Sequence, residues 1–479
     1  MLVAGAVLAA SVGVALAAAK SGLPALVAFL VLGMLLGSDG PGGIDFDDAE
    51  LARQVGTVAL VAILYEGGLS TSWRRLREVA SPALTLSTVG VVVTAGITGL
   101  AARGLFDLSW TAALLLGAVV ASTDAAAVFA TLRHMRLRRG LGRTLEAESG
   151  ANDPVAIALT LGLIAWIEQA HYGIGDISVL LVRQLGLGLL VGVVLGAVAM
   201  SVFGRMPPVI GAFVPVASVA TAALAFGAAD AIHGSGFLAV YLVGLAVGST
   251  PSRFRGQLVA FHLGVAYVAQ VALFIVLGLL VFPSRLPHVA LASLGLVAVL
   301  VLVARPVAVW ASTAPLRRFS RRERALLGWA GLRGAVPIVL GTFVLSSDVG
   351  SADTIFNAVF FVVLVSAALQ GTTLEWVARR LGLLLPALPA EPPLEVARGW
   401  NTLHLADFAV AADHAIAGSA VRELGLPREA LVAVVVRGDA AIPPRGSTVI
   451  RPGDRLFVLV PDGKGPEVDD VFERWRRRI

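Results

Sequence analysis

The chain has 479 residues, of which 57% are hydrophobic and 14% charged, with a mean hydropathy of +0.85. Such a composition excludes an ordinary soluble globule and describes a polytopic membrane protein. The absence of cysteine excludes disulfides, cysteine-ligated zinc, iron–sulfur clusters and thiol catalysis. A pI near 10.2 does not point to nucleic acid, because most basic residues of the first 397 positions lie in short clusters between apolar runs, where membrane topology accounts for them. The last 82 positions hold 23 of the 69 charged residues, which is the composition of a soluble domain.

Crossing a hydrocarbon core of about 30 Å takes about 20 helical residues. Thirteen apolar runs are candidates, near 2–19, 22–36, 54–70, 81–101, 110–131, 145–168, 178–203, 209–230, 236–248, 258–282, 288–312, 325–346 and 354–378, the second and ninth being short. Odd-numbered turns between them, with the stretch after the last, carry nineteen basic residues, and even-numbered turns carry four. Because Lys and Arg accumulate on cytoplasmic loops, this alternation places the N-terminus outside and the tail in the cytoplasm. The first run ends in Ala-rich sequence like a signal cleavage site, but no positive residue precedes it and Lys20 follows, so an outside-to-inside first helix fits better.

Ionisable residues at membrane depth are costly and usually face the bundle interior. Six stand well inside the runs: Glu66, Asp124, Glu148, Asp153, Arg305 and Arg333. The fifth run carries Ser122-Thr123-Asp124, where Thr123 offers its hydroxyl or, if the helix breaks there, its carbonyl; no Pro or Gly adjoins it to predict the break. In Glu148-Ser149-Gly150-Ala151-Asn152-Asp153-Pro154 the two carboxylates, the hydroxyl and the amide share an arc of about 140° on a helix. Pro154 leaves the Gly150 carbonyl without its helical donor, and the set of hard oxygens suits a small desolvated cation. The twelfth run, Gly331-Leu332-Arg333-Gly334-Ala335-Val336-Pro337, reads as an interrupted span. Counting depth from the cytoplasmic ends pairs Arg333 with Glu148 and allows Glu66 with Arg305, leaving Asp124 and Asp153 without basic partners.

These three motifs, with Tyr65-Glu66-Gly67-Gly68-Leu69 as a fourth, resemble the monovalent cation:proton antiporter family in its NhaP-like branch over about residues 1–385. The resemblance implies an all-α homodimeric membrane fold of thirteen spans in two inverted repeats, with broken fifth and twelfth helices crossing beside the ion. It implies that Asp153 and Asp124 bind cation or proton in competition, assisted by Ser149 and the Thr123 backbone, and that Asn152-Asp153 is the form linked to electroneutral exchange. No cofactor is implied; the transported ions are K+ or Na+ and H+, in the inner (plasma) membrane.

A proline-rich linker at 386–401 leads to a small α+β domain at 402–479, with strands near 402–411, 430–437 and 454–460, a short helix at 417–423 and a closing helix at 467–478. Gly418-Ser419-Ala420-Val421-Arg422-Glu423-Leu424 and Arg451-Pro452-Gly453-Asp454 resemble the C-terminal module of potassium channels and transporters (RCK or TrkA-C type), implying dimerisation and sensing of a small cytoplasmic ligand such as a nucleotide. The alternative of a ligand-gated cation channel with the same tail lacks a pore-loop filter sequence. An intramembrane hydrolase lacks a nucleophile motif and a His-rich metal site, the seven histidines falling mainly at loops, span ends or the tail.

Overall fold

Residues 2–21, 24–124, 135, 137, 139–250, 252, 254–316, 318–384, 403–438, 440–461 and 465–476 are described by a computed structural model. Contacts divide the chain into two compact units, Met1–Leu385 and Pro386–Ile479. The first is helical: α1 (Leu2–Ser21), α2 (Ala25–Leu36), α3 (Ala49–Ser70), α4 (Trp73–Thr85), α5 (Val91–Phe106), α6 (Trp110–Val119), α7 (Arg139–Glu168), α8 (Ile174–Arg205), α9 (Val214–Ala231), α10 (Gly236–Ser249), α11 (Arg255–Leu279), α12 (Leu286–Val299), α13 (Arg305–Thr313), α14 (Arg321–Trp329), α15 (Ala335–Leu345) and α16 (Ala352–Arg380). Among the described residues seven helical stretches are long and apolar enough to cross a membrane, and five more are apolar but shorter.

Burial differs sharply between helices. The short helices α10 and α15 are buried along most of their residues. The long α8, by contrast, exposes Val179, Val182, Leu190 and Val193, as a helix facing lipid does. Interhelical contacts are close where glycine removes the Cβ. In the seam between α3 and α10, Gly68 lies against the backbone of Tyr241 and Leu245, Gly244 against Tyr65, and Gly248 against Leu69. Gly33 of α2 and Gly278 of α11 meet in the same way.

Two long helical stretches contain a π turn, Leu86–Gly90 between α4 and α5 and Leu300–Ala304 between α12 and α13. The second has a direct cause: Pro306 has no N–H for the Leu302 carbonyl, so the ladder rearranges one residue ahead of Arg305. In the first, the Thr88 and Ser87 hydroxyls both donate to the Leu84 carbonyl (2.6 and 3.2 Å), competing with the backbone.

The second unit is a four-stranded antiparallel sheet in the order β1-β4-β2-β3, formed by β1 (Leu403–Ala409), β2 (Leu431–Arg437), β3 (Ala440–Ile442) and β4 (Arg455–Pro461), with α17 (Gly465–Arg476) closing its core. Phe408, Val432, Val435, Leu456 and Val458 pack with Val471, Phe472 and Trp475. The expected short helix at 417–423 is a 3-10 turn over Val421–Glu423 only, because Gly418 adopts a left-handed φ of 94° that a helix cannot contain. The expected linker 386–401 lies outside the described residues.

Asp454 is the polar anchor of this unit. It is buried, and both oxygens accept from Arg437, Nε to Oδ1 at 2.7 Å and the second nitrogen to Oδ2 at 2.8 Å, while the Arg451 N–H also donates to Oδ2 (2.8 Å). The left-handed Gly453 (φ 88°) makes the turn that brings Arg451 round to it. The Arg437 hydrogen bonds hold the Asp454 carboxyl below the ordinary aspartate range; burial opposes them, and the Arg451 N–H and the charges of both arginines add to the lowering. A depressed folded-state pKa contributes stability that is fully present above the unfolded value of about 3.9 and is lost as pH falls through the lower folded value. We therefore expect the sheet to hold from neutrality down to about pH 4 and to loosen only in stronger acid, and Asp454→Asn to speed amide exchange in β2 and β4 of the full-length protein at pH 7. Unchanged exchange in that variant would remove the anchor role.

Candidate functional site

Two helical runs stop in mid-membrane and their loose ends meet. The helix α6 ends at Val119, and 121–124 are not helical; α14 ends at Trp329, and 331–334 are likewise not helical before α15 begins. An interrupted helix leaves carbonyls at one end and N–H groups at the other without partners, which hydrocarbon cannot supply. Each break supplies them to the other. Arg333 donates to the carbonyls of Ala121 and Ser122, both at 2.6 Å. The Asp124 N–H donates to the Leu332 carbonyl (2.9 Å), and Asp124 Oδ2 accepts from the Ala335 N–H (3.2 Å) at the first residue of α15. The signs match the helix dipoles, a cation at a C-terminal end and an anion at an N-terminal end. The glycines are needed for approach: a Cβ on Gly334 would overlap the Asp124 carboxylate, and one on Gly331 would lie 2.7 Å from Arg305 Nε. Pro337 falls in the first turn of α15, where no N–H is required. The far end of α14 is secured by α16, where Gln370 donates through Nε2 to the Trp329 carbonyl (2.8 Å) and accepts through Oε1 from Ser366 Oγ (2.7 Å).

Across this crossing runs α7, which stays helical through Pro154. Its polar arc faces the break in the fifth run. The Thr123 hydroxyl lies 2.9 Å from Ser149 Oγ and accepts from Asn152 Nδ2 at 2.5 Å. Asp153 is 2% exposed and Asp124 5%, the two carboxylates are near enough to interact electrostatically, and one cavity is lined by both. Asp153 Oδ1 and Asn152 Oδ1 are buried acceptors with no hydrogen-bond donor among the described residues. Buried oxygens of this kind are costly unless something positive reaches them. Two carboxylates, two hydroxyls and an amide oxygen suit a small monovalent cation or a proton.

The charge pairs differ from those expected by depth. Arg305 pairs with Glu148, its terminal nitrogen 2.5 Å from Oε1, both side chains almost wholly buried. Among the described residues Arg333 forms no ion pair; it is within electrostatic reach of Glu148 and donates through one terminal nitrogen to the carbonyls of Ala121 and Ser122. Glu66, half-buried on α3, accepts from Ser70 Oγ (2.6 Å) and pairs with no base among the described residues. The expectation of Glu148 with Arg333 and Glu66 with Arg305 is therefore corrected. The reason is that the open carbonyl end at 121–122 competes for Arg333, and Arg305 enters beside Glu148 from the start of α13. One of the seven histidines lies in the helical bundle: His262 is 3% exposed inside α11, its Nε2 2.8 Å from Ser218 Oγ, which lies 2.9 Å from the Tyr65 hydroxyl.

A bundle in which two interrupted helices cross beside buried, mutually interacting acids is that of a membrane carrier for small cations. Residues 6–380 match the family described as sodium/hydrogen exchanger, transmembrane, and 405–472 match the TrkA-C domain. The chain is 39% identical to a K(+)/H(+) antiporter NhaP2 of Shewanella sp. (strain ANA-3), over 98% of this chain and 83% of that one, and 36% identical to a K(+)/H(+) antiporter NhaP of Alkalimonas amylolytica, over the same shares. A solved sodium proton antiporter, MjNhaP1 of Methanocaldococcus jannaschii, shares the fold with a TM-score of 0.71 at 22% identity, covering 79% of this chain and 97% of that one. The chain belongs to the sodium/hydrogen exchanger family: it is a multi-pass membrane cation:proton antiporter carrying a TrkA-C domain, and not an enzyme.

Two outcomes follow from the geometry. Breaking the Arg305–Glu148 pair from either side should cost about 3–5 kcal/mol by stranding a buried charge, whereas removing both should cost less than the sum; additive losses in thermal unfolding of the detergent-solubilised protein would contradict the pairing. Gly334→Ala should displace the Asp124 carboxylate and suppress exchange while leaving expression and size-exclusion behaviour intact, and wild-type exchange in that variant would contradict the close approach.

Proposed function

We propose that the chain exchanges K+, or less favourably Na+, for H+ at one site built on Asp153 and Asp124, with Ser149, Thr123 and Asn152 as neutral ligands and supports. The observation that carries this reading is the shared cavity of two deeply buried acids at the crossing of two interrupted runs, with acceptor oxygens on α7 that no donor among the described residues reaches. The preference for K+ rests on the relatives described as K(+)/H(+) antiporters and on the TrkA-C domain. Arg305 and Arg333 hold the neighbouring charges and helix ends in place, and Glu148 is the counter-ion of Arg305. Glu66 belongs to the supporting shell on α3.

In this reading the helices make thirteen spans in two inverted repeats. The two π turns support it: each lies in the span before an interrupted one, the fourth and fifth in one half and the eleventh and twelfth in the other, an offset of seven. The protein sits in the plasma membrane as a homodimer, N-terminus outside and TrkA-C domain in the cytoplasm, where the domain senses a small ligand such as a nucleotide and adjusts exchange for pH homeostasis. The basic residues of alternate turns support that orientation. Transport is alternating access: cation binds at the ionised pair, the site turns to the other face, and a proton neutralises it for the return.

Asp153→Asn should abolish exchange in proteoliposomes while the protein still folds, since the amide is nearly isosteric but carries no charge to swap. Assayed with K+, Na+ and Li+ side by side between about pH 5 and 9, the wild type should give a bell-shaped profile whose acid limb moves to lower pH as cation is raised. That limb reports protons competing for the site, and the alkaline limb reports proton shortage on the return. Wild-type exchange in the Asn variant, or an acid limb indifferent to cation, would overturn the single-site reading.

A further inference from the structure

The cavity that holds Asp153 and Asp124 also reaches Glu146, Thr71, Gln270 and Tyr241, none of which the exchange mechanism above uses. On α7, Glu146, Gly150 and Asp153 stand at i, i+4 and i+7 and so form one stripe, in which the two carboxylate positions are separated by about 10 Å along the axis. The two ends of the stripe differ in access. Asp153 is sealed, whereas Glu146 is only half-buried, as are Gln270 of α11 and Thr71, the residue that ends α3. Thr71 directly precedes the basic segment Arg74 to Arg77, so this end of the cavity opens on the side of the arginine-rich turns.

Between the two levels lies an aromatic ring. A Cβ on Gly150 would sit 3.0 Å from Tyr241 Cε2 and 3.2 Å from both Cζ and the hydroxyl, so the phenol of α10 rests on the helix turn that separates Glu146 from Asp153. Its hydroxyl faces Thr71 and Glu146, toward the outer level. The Thr71 hydroxyl gives its hydrogen to the Gly67 carbonyl (2.7 Å), which leaves its lone pairs as acceptors. One carboxylate with a threonine hydroxyl, an amide oxygen and a phenol makes a hard-oxygen set of single negative charge.

We infer that Glu146, with Thr71 and Gln270, is an outer station that receives the monovalent cation before it reaches Asp153 and Asp124, and that the Tyr241 ring on Gly150 separates the two stations. This rests on the assignment of the inner pair proposed above. A single carboxylate suits such a station, because a waypoint must attract the ion yet release it inward. With the inner pair ionised, the outer carboxylate also raises the local cation concentration at the mouth.

The test is K+/H+ exchange by the full chain in proteoliposomes, with KM for K+ and kcat separated. Glu146→Gln should raise KM by about tenfold, the scale of one unit charge acting over about 10 Å at an effective dielectric constant near 20, with a smaller effect on kcat. Glu146→Asp, which keeps the charge, should recover most of the loss. Should the Gln variant fail to reach the membrane, the Asp variant carries the test alone, with a KM raised by a smaller factor. A KM unchanged in the folded variant overturns the outer station, and so does a loss confined to kcat, which would place Glu146 with the inner machinery. Asp153→Asn is run alongside: exchange persisting there condemns the inner-pair assignment whatever Glu146 does.

Discussion

A hydrocarbon core offers no hydrogen bonds, and this protein nevertheless cuts two helices inside it. The arrangement is tolerable because each cut end is closed by the other segment. Arg333 covers the carbonyls that α6 leaves at 121 and 122, and Asp124 covers the first N–H of α15 and bonds through its own backbone to Leu332. Removing either partner exposes backbone groups as well as a charge, so the crossing stands or falls as a unit. It also fixes Asp124 in space, through its own N–H to Leu332 and through its carboxylate to the Ala335 N–H.

The electrostatic sum around the crossing is instructive. Asp124, Asp153 and Glu148 face Arg305 and Arg333, and with all of them ionised the cluster carries one net negative charge. One monovalent cation or one proton brings it to neutrality. The buried Arg305–Glu148 pair cancels internally and contributes nothing to that remainder.

Sequence patterning reached the membrane class, the polar arc of α7 and the interruption at 331–334, because Gly and Pro write their backbone consequences into the chain. The interruption at 121–124 carries no such letter. It arises from tertiary contacts, namely Arg333 holding the carbonyls of Ala121 and Ser122 and Asn152 reaching Thr123. The charge pairs failed for a geometric reason: counting residues from a span end gives depth but not direction, and Arg305 and Arg333 lie at workable depths for Glu148 from different sides. His262 was obscured by the same limit, since only packing brings Ser218 and Tyr65 to it. In the tail, β3 is a three-residue edge strand, Ala440–Ile442, too short to show a period of two.

The glycine seam between α3 and α10 has a mechanical meaning. Backbones that touch at Gly68, Gly244 and Gly248 have no side-chain layer to shear, so relative sliding would have to lift one helix over the carbonyls of the other. The two helices therefore behave as a single strut, and Tyr241 and Thr71, which belong to its two halves, keep a constant spacing whatever the strut does. Any displacement of this strut against α7 would carry the Tyr241 ring across Gly150, where there is no methyl group to obstruct it.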